Sequence, residues 1–258
     1  MFKIFLLTVS LYSSLAFAEE EAKQLGIKNE TAIGYVVTGG NSQSETTSLK
    51  EDVSYNWTRD ILKLKAQYIQ TSGLDPQSDL NNVTAENWAA TLRFEKVFDP
   101  KRFNGYISYG WYGDRFQGVR EGQSTDIGGK YYFYKLKYFQ LLSELGYRYT
   151  RELLVAEPTQ KIGVGSSIMP EYHYLRSFLQ ADYSFSKTFA VGAWLEFLPS
   201  VTNFTQDQRI NYSPYLTSIL TDVFSLKVAY EARYRFPVTV ANNRLTDFTF
   251  TTSLLATY

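Results

Sequence analysis

Apolar and polar positions alternate with period two along most of this chain, and the closing stretch TDFTFTTSLLATY shows the pattern most plainly. Phe248, Phe250, Thr252, Leu254, Ala256 and Tyr258 fall on one face; Thr249, Thr251, Ser253, Leu255 and Thr257 fall on the other. The apolar face continues to the final aromatic residue. Chain ends usually fray in polar residues. A strand that stays apolar to its last position must be paired and covered to its end. An outer-membrane barrel has that need, because its last strand closes the sheet and lipid tolerates no open edge.

The same alternation predicts twelve strands, at about 29–38, 46–57, 61–72, 84–97, 102–113, 123–134, 137–150, 174–185, 188–198, 209–220, 224–236 and the terminal segment. The segment at 224–236 is typical: Leu226, Val228, Tyr230, Ala232, Tyr234 and Phe236 oppose Lys227, Glu231, Arg233 and Arg235. Two residues fit badly. Glu51 sits on the apolar face between Leu49 and Val53, and Pro214 lies inside the tenth segment, where it cannot donate a ladder hydrogen bond.

The connections alternate in length. Short ones fall at Thr58–Asp60, Asp99–Lys101, Lys135–Leu136, Ser186–Lys187 and Thr221–Asp222. Long ones fall around Gly39–Glu45, Ser72–Val83, Asp114–Gly122, Arg151–His173, Pro199–Gln208 and Pro237–Leu245. With the N-terminus in the periplasm, every short connection is periplasmic and every long one extracellular, the outer-membrane pattern. Aromatic residues then form two belts. Trp57, Phe94, Phe103, Phe133, Phe139, Phe185, Phe189 and Tyr258 lie near the periplasmic rim, and Tyr68, Trp88, Trp111, Tyr149, Phe236 and Phe248 near the outer one.

Composition agrees. Aromatics make up 17% of the residues, yet mean hydropathy is slightly negative and no long apolar run follows residue 18, which excludes a helical membrane protein. The N-terminus carries Lys3, an apolar run from Ile4 to Leu15 and a small-x-small site at Ala16–Phe17–Ala18. Residues 1–18 therefore read as a cleaved secretory signal and 19–28 as a short polar segment, followed by one barrel over 29–258. Removing Lys3 leaves 25 basic side chains against 26 acidic, so nothing points to nucleic acid. There is no cysteine, hence no disulfide framework and no thiolate chemistry.

The face opposite the apolar one would line the lumen. Its candidate residues are Lys63, Lys65, Arg93, Glu95, Lys130, Glu144, Arg148, Asp182, Lys227, Glu231, Arg233 and Arg235, with Lys50, Asp52, Asp126, Arg176 and Glu196 on the same face. Both signs alternate around the ring. They either brace a polar, salt-bridged interior or filter small ions and solutes. Twelve strands enclose a narrow space, since barrel diameter grows with strand number.

Catalytic and metal signals are thin. His173 is the sole histidine, placed at the end of the longest loop, and a Ser-His-acid arrangement would need it as base. Outer-membrane phospholipases are also twelve-stranded barrels, so a lipid hydrolase stays open as a second reading, although no serine segment here resembles their nucleophile motif. One histidine without cysteine offers no metal site, and no cofactor is expected. A third reading, a soluble periplasmic barrel holding an apolar ligand, would turn the aliphatic face inward and the charges outward.

The segment AIGYVVTGGNSQSETTSLKEDVSYNW resembles the opening hairpin of the salt-induced outer-membrane proteins, the YdiY-like family of unknown function; YGDRFQG, LGYRYTRE and LTDFTFTTSLLATY fit as well. The likeness runs over about 28–258 and supplies no catalytic residue. It implies an integral outer-membrane barrel tied to osmotic or salt stress. Leu254, Ala256 and Tyr258 then read as the barrel's assembly signal. The expectation is an all-β, antiparallel, up-and-down transmembrane barrel in the outer membrane of a Gram-negative bacterium. Its partners would be outer-membrane lipids, the barrel-assembly machinery, periplasmic chaperones and small ions or solutes.

Overall fold

The computed structural model describes residues 26–38, 44–74, 81–114, 119–154, 170–202, 204, 207–236 and 246–257. Twelve strands follow one another: β1 (Gly26–Thr38), β2 (Ser44–Asn56), β3 (Asp60–Leu74), β4 (Asn81–Asp99), β5 (Phe103–Asp114), β6 (Val119–Lys135), β7 (Phe139–Leu154), β8 (Glu171–Ser184), β9 (Phe189–Pro199), β10 (Gln208–Ile219), β11 (Phe224–Phe236) and β12 (Thr246–Thr257). Each pairs antiparallel with its sequence neighbour, and β1 pairs with β12 to close the ring. The predicted fold class and strand number are therefore met. The signal segment and Tyr258 lie outside the described residues.

Period two sets the two surfaces. Ile33, Leu49, Leu92, Ile107, Ile127, Leu145, Leu179 and Leu195 stand outward and are exposed. Glu95, Asp126, Lys130, Glu144, Arg176 and Glu196 stand inward and are buried. An apolar-ligand barrel for water would need the reverse arrangement. The outward apolar band is bounded by rings in contact: Tyr55–Trp57, Tyr131–Phe133 and Tyr183–Phe185 along the chain toward one end, and Trp88–Trp111 across β4 and β5 toward the other.

All five short connections lie at one end and are closed by local hydrogen bonds. The amides of Trp57, Leu136, Ser186 and Thr221 each donate to the carbonyl three residues on, and Arg102 donates back to Asp99. Strands run further toward the opposite end than alternation predicts. β4 begins at Asn81, β5 reaches Asp114 and β7 ends at Leu154, because the backbone ladder continues where apolar alternation has stopped. β1 likewise starts at Gly26 rather than at 29, with Ile27 paired to Tyr55.

Of the two ill-fitting residues, Pro214 does lie inside β10 and Glu51 does lie on the outward face. Pro214 pairs with Ala193 of β9, while the ladder to β11 skips Ser213 and Pro214. The missing amide of Pro214 costs ladder bonds on one side only. Glu51 points outward and accepts a hydrogen bond from the Thr31 hydroxyl at 2.7 Å, directly across the β1–β2 pair. His173 is a correction: it belongs to β8, not to a loop, because the strand starts at Glu171.

Candidate functional site: the charged lumen

Each inward charge is aimed by strand parity alone, and what it meets depends on the stagger of strands around the ring. Toward the end with short turns, Glu95 on β4 is 1% exposed and gathers three cations: Lys63 at 3.1 Å, Lys130 at 2.8 Å and Arg93 at 2.9 Å. Arg93 also reaches Glu144 on β7 at 2.7 Å, three strands away. Glu144 accepts from Arg176 of β8 at 2.6 Å. Arg176 continues to Glu196 at 2.7 Å, and its guanidinium donates to the Tyr106 hydroxyl of β5 at 2.9 Å. Arg148 completes the set, bound to Asp126 at 2.6 Å and to Glu196 at 3.2 Å. Five cations and four carboxylates thus form one connected network against the β3–β9 wall.

A glycine pair makes room for it. Gly128 and Gly146 face each other across β6 and β7, and the Tyr106 hydroxyl lies over both; a methyl group at either would run into that oxygen and the neighbouring backbone. The consequence is that Tyr106 can lie flat against the wall, with the Arg93 guanidinium 3.8 Å above its ring.

A second layer lies toward the long connections. Glu152 on β7 is fully buried and accepts from Arg209 at 2.7 Å, from Arg235 at 3.4 Å and from the Tyr112 hydroxyl at 2.8 Å. Arg209 and Arg235 both stack over the Tyr172 ring, each 5.2 Å from its centre. Arg233 reaches Asp114 at 2.5 Å and Glu231 at 2.8 Å. Asp114 also takes a bond from Asn87, which accepts from Gln67. Between the layers lies a cavity of about 290 Å³, lined among others by Arg148, Glu196, Trp194, Asp114, Arg209 and Arg233.

Burying charges is tolerable only when each is paired and bonded. Every charge of these two layers is ion-paired, although the Nε groups of Arg93, Arg209 and Arg235 make no hydrogen bond among the described residues. The lumen is looser elsewhere. Lys65 pairs with Asp52 at 2.8 Å, but both are well exposed. Asp182 accepts from the Tyr215 hydroxyl and from Gln180 rather than from a cation, and Lys227 sits 4.5 Å above the Tyr215 ring.

All twelve predicted lumen charges stand inward, and most join the two networks. Asp114, Glu152, Arg209 and the tyrosines Tyr106, Tyr112 and Tyr174 were not among them. Glu152 shares the parity of Glu144 and Arg148, so extending the alternation by one turn of the pleat would have found it. Leu254 and Ala256 of the predicted assembly signal point outward, paired to Ile33 and Thr31 on one side and to Leu226 and Phe224 on the other. His173 also points outward; its Nδ1 shares a short hydrogen bond with the Tyr147 hydroxyl, and its ring lies 5.4 Å from that of Tyr149.

No curated protein matches the chain. Among solved structures it is similar to the NanC porin, at 12% identity and a TM-score of 0.49, covering 89% of this chain and 97% of that one. The translocator domain of the autotransporter NalP from Neisseria meningitidis gives 10% identity and a TM-score of 0.49, covering 92% of this chain and 90% of that one. The KdgM porin, solved with disordered oligogalacturonate, gives 9% and 0.45, with 89% and 98% covered. A family model, "Protein of unknown function, DUF481", matches residues 31–258. That span takes in all but the first residues of the barrel, and the chain belongs to this family.

Proposed function

We propose that the protein is an integral outer-membrane barrel acting as a narrow pore, with its lumen constricted by the two ion-pair layers. One observation carries this reading: apolar side chains cover the outside while the charges turn inward and pair with each other across the lumen. A chain folded for water would not leave Leu145 62% and Ile127 57% exposed around its whole girth. Charged rings and paired side chains inside a narrow barrel pass small ions or solutes and exclude larger ones. The likeness to salt-induced outer-membrane proteins supports a role under osmotic or salt stress. We assign the barrel no enzymatic step: a His173→Ala variant assayed on phospholipid should behave as the wild type.

Two measurements test the reading. Alkaline carbonate washing of membranes should leave the protein in the pellet, and its release would end the integral-barrel reading. Refolded protein in a planar bilayer should give small single-channel steps. Large, porin-sized steps would show that the ion-pair layers do not constrict the lumen.

A further inference from the structure

The seam that closes the barrel is paired over only part of its length. β1 and β12 share five residue pairs, from Glu30↔Thr257 to Gly34↔Ser253. The other neighbouring strands share from eight to fifteen. Yet β1 is paired with β2 along all thirteen of its residues, and β12 is paired with β11 as far as Thr246. Both strands therefore continue toward the long-connection end with one edge unpaired toward the other. Unpaired strand edges are costly in hydrocarbon, so this part of the seam has to be occupied or closed.

The surroundings of the gap have a polarity of their own. Outside, Tyr35, Phe248 and Phe250 are exposed beside it. Inside, Ser48, Thr251 and Ser253 present hydroxyls. Gly34 marks the last pair; a side chain there would collide with Ser48, Ser253 and the Thr252 carbonyl, so the strands can converge to this point only through glycine. Two ammonium groups flank the same place from within. Lys227 of β11 is in register with Ser253, and Lys50 of β2 with Ala32. Among the described residues neither has a carboxylate in ion-pair contact, although Glu231 lies near Lys50. Among the described residues the remaining inward lysines and arginines of β3 to β11 are ion-paired, apart from Lys135 at the short-turn end, which donates to the Pro100 carbonyl.

We propose that the unpaired half of the β1–β12 seam is a lateral opening that takes an anionic lipid, with its acyl chain against Tyr35, Phe248 and Phe250 and its charged head inside against Lys50 and Lys227. The apolar flank outside suits the chain, the hydroxyls suit the polar backbone of the lipid, and the two unpaired cations suit the anionic head. The inference rests on the membrane-spanning reading but not on whether the lumen conducts.

The native chain has no cysteine, so single cysteines can be labelled cleanly. A bimane fluorophore is placed at Thr251→Cys beside the gap, at Ser124→Cys on the inward far wall and at Leu92→Cys on the outer face. Each is reconstituted in vesicles of phosphatidylcholine or phosphatidylglycerol with brominated acyl chains. Leu92→Cys should be quenched by both lipids and Ser124→Cys by neither. Thr251→Cys should be quenched several-fold more by brominated phosphatidylglycerol than by phosphatidylcholine, and adding Lys50→Gln and Lys227→Gln should abolish that preference. Thr249→Cys replaces Thr251→Cys if the latter does not fold. Quenching beside the gap no greater than at Ser124→Cys overturns the proposal, as does equal quenching by the two lipids. An unquenched Leu92→Cys would instead strike the membrane reading itself, and the proposal with it.

Discussion

Arg233 of β11 and Asp114 of β5 are joined by an ion pair of 2.5 Å although they lie on opposite sides of the barrel. The two strands are six positions apart around the ring in either direction. The pair therefore spans the lumen rather than one stretch of wall. Arg233 is held from its own strand by Glu231, and Asp114 by Asn87, so both ends of the strut are braced. Removing either partner should destabilise the barrel, and removing both should cost less than the sum. Urea unfolding in detergent of Arg233→Ala, Asp114→Ala and the double variant should give a coupling of about 0.5–3 kcal/mol. Strictly additive losses would mean that the two groups act independently.

Glu95 tests the first layer. Three cations converge on a carboxylate with almost no solvent contact. Glu95→Gln leaves them partly uncompensated and should cost about 3–5 kcal/mol. Asp52→Asn breaks the exposed pair with Lys65 and should cost about 1 kcal/mol or less. Equal losses in the two variants would show that the network contributes no more than a surface pair.

The Gly128–Gly146 pair makes a steric prediction. Gly146→Ala would push the Tyr106 hydroxyl off the wall and with it the bond from Arg176. Overpacking of this kind should cost about 1–3 kcal/mol. Combining it with Tyr106→Phe, which removes the colliding oxygen, should recover part of the loss; no recovery would place the clash elsewhere.

Glu51 is an outward carboxylate whose hydrogen bond comes from Thr31. On a lipid-facing surface a polar pair contributes less than apolar contact, so Glu51→Leu should raise the heat-induced unfolding temperature in bilayers. A lower temperature would mean that the Thr31–Glu51 pair is needed to hold β1 against β2.

The faces of the strands were legible in the sequence because alternation is local. Lys63, Arg93, Glu144 and Arg233 could each be assigned to the inside from their immediate neighbours. Their partners could not. Which inward charge meets which depends on height, and height follows from strand stagger summed around the ring. Arg93 meets Glu144 rather than a residue of an adjacent strand for that reason. The ends were misjudged where the apolar signal stops before the ladder does, which put Asp114 and His173 in loops although β5 runs to Asp114 and β8 starts at Glu171. The half-paired seam left no local mark, since β1 and β12 lie at opposite ends of the chain.

The most direct test of a lumen constricted from within is single-channel conductance of the refolded wild type against the Arg233→Ala and Asp114→Ala double variant in the same planar bilayer. The expected result is small steps for the wild type and steps several-fold larger for the variant, whose upper strut is gone while the outer surface is unchanged. Identical conductance in the two proteins, whether large or absent, would contradict a pore set by the Arg233–Asp114 strut.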